Sequence, residues 1–141
     1  MATLYLSLGT NLGDRRSNLE SALSLIGLEI GTVMAQSTVL ETEPWGFESP
    51  NPFLNMVVKV DTPMKPLDVL HTTQQIERRL GRTSKTGADG YKDRIIDIDI
   101  LLYDDLVLNT PELTIPHPMM RQRQFVMEPL AQIAPEIVRD L

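Results

Sequence analysis

Residues 94–103, RIIDIDILLY, constrain the fold more than any other stretch of the chain. The branched aliphatics suit a β-strand, yet Asp97 and Asp99 stand inside it one residue apart. Successive strand side chains point to opposite faces, so the two carboxylates share a face, roughly 7 Å apart along the backbone. Ile96, Ile98, Ile100 and Leu102 then share the other face. Neighbouring carboxylates repel and are costly to keep ionised in low-dielectric surroundings. Such a strand needs a hydrophobic core on one side and something that tolerates paired negative charge on the other.

The rest of the chain supplies partners for it. TLYLSLGT (3–10) alternates Leu4, Leu6 and Leu8 against Thr3, Tyr5 and Ser7, which predicts a half-buried first strand. Asp14 is placed to cap a helix carrying Leu19, Ala22, Leu23 and Ile26 at i, i+3, i+4 and i+7, with its end expected near Gly27. Residues 31–41 read as a second strand, and TEPWGFESPNP (42–52) as a long proline-rich loop of the kind that often carries function. The third strand, 53–61, places Leu54, Met56, Val58 and Val60 on one face and Phe53, Asn55, Val57 and Lys59 on the other. Pro66 opens a second helix with a stripe of Val69, Thr73, Ile76 and Leu80, ended at Gly81. A polar loop, 82–93, leads back to the aspartate strand.

The order β-α-β-β-α-β predicts an α+β, ferredoxin-like domain: an antiparallel sheet with both helices on one face. Ile96, Ile98, Ile100 and Leu102 would face the helices, and Asp97, Asp99, Phe53 and Asn55 an open face. The 141 residues suit a single domain. Its core is expected over about 1–104, and a C-terminal extension over about 105–141, with one or two short helices around 124–133.

Composition narrows the function. The chain contains no cysteine, which excludes disulfides and thiolate metal sites. No run approaches the roughly 20 apolar residues of a membrane span, and the N-terminal residues lack the basic start of a signal peptide. A cytoplasmic, monomeric protein is the expectation. Net charge is −6, but six basic residues (Arg78, Arg79, Arg82, Lys85, Lys92, Arg94) gather in 78–94 against Asp89 and Asp93. An acidic chain with one basic segment is a poor nucleic-acid binder and a reasonable binder of a small anion.

The carboxylate pair allows three readings: general acid–base catalysis, a Mg²⁺ site shared with phosphate oxygens, or a solvated pair salt-bridged to Arg94. Arg82 and Arg94 on one side, and His117, Arg121 and Arg123 downstream, favour the second, because arginines and Mg²⁺ are the two halves of a nucleotide-phosphate site. Neither a P-loop nor a kinase glycine-rich loop occurs in the sequence. GTNLGD (9–14) reads as a tight strand-to-helix turn, with a phosphate nest as the alternative.

Taken in order, GTNLGD, TEPWG, FLN, IERRLGR, DRIIDIDILLY and PHPMMRQRQFVMEPL resemble the 6-hydroxymethyl-7,8-dihydropterin pyrophosphokinases of folate biosynthesis, over about residues 3–135. The resemblance implies the same βαββαβ core and transfer of diphosphate from ATP to the pterin hydroxymethyl oxygen, with release of AMP. It implies that Asp97 and Asp99 hold two Mg²⁺ ions, with one carboxylate near the hydroxymethyl group. Arg82 and Arg94 would act on the triphosphate during catalysis. Gln74, Glu77, Thr114, His117 and Arg123 would complete the ATP side. Thr42, Pro44, Trp45 and Asn55 would recognise the pterin, with Phe53 and Phe125 sandwiching its ring. Loops 42–52 and 82–93 would close over the site.

Departures from the family pattern lie mainly in the second loop. Ser84 and Lys85 replace a frequent arginine, and Lys85 would serve as a point charge on ATP. Tyr91 stands where tryptophan is frequent, and Pro118 where an aromatic follows the histidine. Two rival readings keep the fold but change the chemistry: a palm-like nucleotidyl transferase, which would release pyrophosphate, and a non-catalytic ligand-binding domain.

Overall fold

Alternating apolar residues in the N-terminal segment form β1 (Ala2–Thr10), and Leu4, Leu6 and Leu8 are fully buried on one side of it. The computed structural model describes residues 1–43, 51–81 and 95–141. Asp14 caps α1 (Arg15–Glu29), its carboxylate accepting the Ser17 N–H at 3.1 Å. The hydrophobic stripe of α1 buries Leu19, Ala22 and Ile26. Two short strands follow, β2 (Thr32–Gln36) and β3 (Leu40–Thr42), then the long β4 (Phe53–Thr62), α2 (Pro66–Arg79) and β5 (Asp97–Tyr103).

The strands run β2-β4-β1-β5, and β3 adds to β4 beyond β2. All pairings in this sheet are antiparallel. With β2 and β3 read as one interrupted strand, this is the order expected of the ferredoxin-like arrangement. Helices α1 and α2 bury their stripes against Leu4, Leu6, Leu8, Leu54, Met56, Val58, Val60, Ile96, Ile98 and Ile100. This is the apolar face anticipated for β1, β4 and the start of β5.

The opposite face is not open along its whole length. The β6–β7 hairpin (Leu108–Asn109 with Thr114–Ile115) and a 3-10 turn (Met120–Gln122) carry the chain to α3 (Gln124–Ile133) and α4 (Pro135–Asp140). Val126, Leu130 and Ala134 of this extension pack with Met120 on Tyr5, Val57, Leu101 and Leu102. The extension thus covers one end of that face and leaves Asp97 and Asp99 at the other.

Three local expectations are corrected. Leu102 does not join Ile96, Ile98 and Ile100 on the α1/α2 side. Tyr5 pairs with Leu102 but Leu6 with Ile100, so Leu101 is an extra residue, and this bulge turns Leu102 onto the α3 face. The second strand is not continuous over 31–41. At the break the Val57 N–H donates to the Ser37 hydroxyl at 2.9 Å, and Thr38 is held by Gln132 of α3.

Helix α1 also runs past Gly27 and is capped at Ile30. A Cβ at Gly27 would meet nothing within 4 Å, whereas one at Gly31 would overlap the Asp61 carbonyl oxygen of β4. The two glycines should therefore respond oppositely to alanine. Gly27→Ala is expected to stabilise by about 0.5–1 kcal/mol, the helix-interior cost of glycine. Gly31→Ala should destabilise by about 2–3 kcal/mol, as overpacking against backbone does. Denaturant melts check both; a Gly31→Ala protein as stable as the parent would refute the close-approach argument.

Candidate active site

Strand register assembles the site before any side chain is considered. Gly9 on β1 lies between Asn55 of β4 and Asp97 of β5, and Ser7 lies between Val57 and Asp99. Residues opposed across antiparallel strands point to the same face. Asn55, Asp97 and Asp99 therefore share one surface, with the bare backbone of Gly9 between the amide and the first carboxylate. Phe53 adjoins it: a Cβ built on Gly9 would stand 3.5 Å from the Phe53 ring and 3.1 Å from Asn55 Oδ1.

On the β4 side the groups are held in place. Asn55 is nearly buried, and its Nδ2 donates to Thr42 Oγ1 at 2.6 Å. This bond assigns the amide orientation and leaves Oδ1 turned toward Gly9. Beneath them the GTNLGD turn acts as an anchor for the chain entering β4. Asn11 Nδ2 donates to the Asn51 carbonyl and Arg15 Nη1 to the Pro52 carbonyl, each at 3.0 Å. Asn18 braces the turn itself through Thr10 Oγ1 and the Leu12 carbonyl. The tight-turn reading of this motif is the one these bonds support.

Strand β5 is a sheet edge, and its outer groups are fixed from two directions. Glu77 of α2 is buried, and its Oε2 accepts the Ile98 N–H at 2.8 Å, between the two aspartates. The His117 N–H donates to the Leu101 carbonyl at 3.0 Å, just after the cis Ile115–Pro116 bond. These contacts fix the height and tilt of the strand that carries Asp97 and Asp99.

The cationic side comes from the C-terminal extension. Arg123, nearly buried ahead of α3, ion-pairs with Asp99 at 3.6 Å and sets its guanidinium 5.6 Å from the centroid of Phe125. His117 Nδ1 accepts the Met119 N–H at 3.1 Å, so a neutral ring carries its proton on Nε2. Burial pushes the His117 pKa down to about 4; the Arg123 charge adds to this and the Asp97 charge opposes it. At neutral pH His117 is thus an uncharged donor through Nε2.

A flat amide-and-ring shelf, two carboxylates and a cationic wall stand side by side on one sheet face. That geometry suits a phosphorylated ligand bound next to a planar one. A model of the 7,8-dihydro-6-hydroxymethylpterin-pyrophosphokinase (HPPK) family matches residues 5–135. The chain belongs to this family.

Proteins named 2-amino-4-hydroxy-6-hydroxymethyldihydropteridine pyrophosphokinase are similar throughout. One from Porphyromonas gingivalis is 54% identical over 136 residues, covering 96% of this chain and 92% of its own. Another, from Bacillus subtilis, is 39% identical over 137 residues, covering 96% and 80%. Among solved structures, Plasmodium falciparum HPPK-DHPS superposes with a TM-score of 0.74 at 19% identity, over 96% of this chain. The chain spans 40% of that longer one, and the likeness bears on the fold alone. An HPPK-DHPS in complex with substrates gives the same TM-score at 18% identity.

Of the residues the sequence singled out, Thr42, Phe53, Asn55, Asp97 and Asp99 lie on or beside this HPPK sheet face, and His117, Arg123 and Phe125 come from the extension. Glu77 sits behind β5 as its anchor, Gln74 is exposed on α2, and Thr114 is half-buried in β7. Pro44, Trp45, Arg82, Lys85 and Arg94, with Ser84 and Tyr91, lie outside the described residues. Gly9, Asn11 and Arg15 escaped the sequence reading as individual contributors. The glycine inside a strand was the available signal, because such a residue often marks a close approach.

Proposed function

We propose that the chain transfers the β,γ-diphosphoryl group of ATP to the hydroxymethyl oxygen of 6-hydroxymethyl-7,8-dihydropterin, a step of folate biosynthesis. The hydroxymethyl oxygen attacks the β-phosphorus in line and its proton is released to water; the bond from that phosphorus to the α-phosphate bridging oxygen breaks, and AMP leaves with that oxygen. The observation that carries this reading is the Asp97/Asp99 pair set between the Asn55–Phe53 shelf and the Arg123–His117 wall. Its alternative, a non-catalytic domain, has no need of paired carboxylates beside a buried arginine.

Each residue then has a task. Asn55 and Thr42 recognise the pterin edge, and Phe53 and Phe125 hold its ring, joined by Pro44 and Trp45 of the loop. Arg123 and neutral His117 bind phosphate oxygens as hydrogen-bond donors. Arg82 and Arg94 act on the transferring group, with Lys85, Gln74, Glu77 and Thr114 on the nucleotide side. Glu77 has a second task, which is to fix the β5 edge from which both aspartates project.

Two half-buried carboxylates on one face suit Mg²⁺, which takes few protein ligands and completes its shell with water or phosphate oxygens. Asp97 and Asp99 would hold two such ions with ATP, and the ions would supply charge neutralisation at the phosphate oxygens. We take the protein to act as a cytoplasmic monomer without nucleic-acid or membrane partners. The cysteine-free chain suits a reducing compartment and the acidic net charge disfavours nucleic-acid binding; among the described residues no helix is long and apolar enough to cross a membrane.

Metal removal tests the reading. AMP formation from ATP and the pterin should stop on chelation and return when Mg²⁺ is restored. Undiminished AMP formation in excess chelator would contradict the role given to Asp97 and Asp99.

A further inference from the structure

We propose that Gly9 is a specificity-determining residue of the pterin site, and that its missing side chain is the space in which the edge of the ring is seated. The inference rests on the pterin-site reading above and adds a residue to it.

Glycine inside a strand is unfavourable and calls for a reason, and Gly9 is the penultimate residue of β1. Gly9 is held on both sides, paired with Asn55 on β4 and Asp97 on β5. Its backbone is not in the left-handed region, so the conformation does not demand glycine. Nor does the backbone of its neighbours. The atoms an added Cβ would meet are Asn55 Oδ1 at 3.1 Å and two Phe53 ring carbons at 3.5 and 3.9 Å. At Gly31, by contrast, the obstacle is backbone. What keeps Gly9 bare is thus two side chains that belong to the pterin shelf.

A methyl group there has two ways to be accommodated, and both affect the same ligand. Either it stays on the shelf between the Asn55 amide and the Asp97 carboxylate, filling the space of the ring edge. Or it displaces the Asn55 amide, which breaks the 2.6 Å bond to Thr42 Oγ1 and misaligns the polar edge. Neither route reaches Arg123 or His117, which are carried by the extension.

The test is Gly9→Ala, assayed beside the parent for AMP formation, with Mg·ATP binding measured separately without pterin. The KM for the hydroxymethyl-dihydropterin is expected to rise about 10- to 200-fold, the usual effect of one carbon in a fitted pocket. Mg·ATP affinity should stay within about twofold, whether Tm holds because the methyl stays on the shelf or falls because the Asn55–Thr42 bond is broken. A merely structural role predicts that both ligands weaken together, and that result would overturn the inference. An unchanged pterin KM would overturn it too, while a parent active with the pterin leaves the functional reading intact. A parent that forms no AMP would remove the functional reading and this inference with it.

Discussion

Replacing Asp97 or Asp99 with alanine is expected to lower kcat by on the order of 10³-fold or more, with the fold retained. The size follows from the role. Charge neutralisation by a bound cation contributes several kcal/mol to a phosphoryl transition state, and each 1.4 kcal/mol is a factor of ten in rate. Retention of the fold follows from placement. Both carboxylates are only half-buried and project from the face of β5 opposite Ile96, Ile98 and Ile100, so the core keeps its contacts. Losing one of two neighbouring negative charges also relieves repulsion. For Asp99 that relief is set against the loss of its ion pair with Arg123. Stopped assays and thermal melts on the same preparations check both halves. A variant with near-normal turnover in Mg²⁺ would remove the metal assignment.

Arg123→Ala should reduce kcat/KM by about 10²–10³-fold, with ATP affected more than the pterin. Arg123 is nearly buried, and its charge is directed at one end to Asp99 and at its flat side to Phe125. Alanine removes the planar fork that suits phosphate oxygens and leaves Asp99 without that neighbouring charge. Breaking such a pair by removing one member is more costly than the pair's own net contribution. Arg123→Lys should recover part of the activity, because a point charge replaces the charge but not the fork. Kinetics with each substrate varied in turn would show the asymmetry. Equal and small changes in both KM values would place Arg123 outside the phosphate site.

The sequence was most informative where periodicity reports burial directly. The faces of β1 and β4, the stripes of both helices and the separation of Asp97 and Asp99 from Ile96, Ile98 and Ile100 all follow from spacing two or spacing three to four. It was least informative where a distant group decides a local event. ILLY contains apolar residues at every position, so no alternation marks the bulge at Leu101, which exists only in the pairing with β1. Gly27 and Gly31 look alike in sequence, and a carbonyl on β4 some 30 residues away distinguishes them. Nothing in 37–39 is a strand breaker such as proline or glycine; the interruption comes from Ser37 taking the Val57 N–H and Gln132 taking Thr38.

The site shows the same division. The carboxylate pair and the unusual His117 between prolines are visible as residues out of character with their surroundings. That Arg123 is buried against Asp99, or that Glu77 spends its carboxylate on the Ile98 N–H, depends on how α2 and the extension dock on β5. Motif resemblance named both residues as nucleotide-side groups, and the fold adds the structural work Glu77 performs.

The most direct test of the central claim is a nucleotide chromatogram after incubation with ATP and Mg²⁺, with and without 6-hydroxymethyl-7,8-dihydropterin. AMP should accumulate in proportion to the pterin consumed and be absent when the pterin is left out. Release of ADP or pyrophosphate, or intact ATP in the presence of the pterin, would contradict the account.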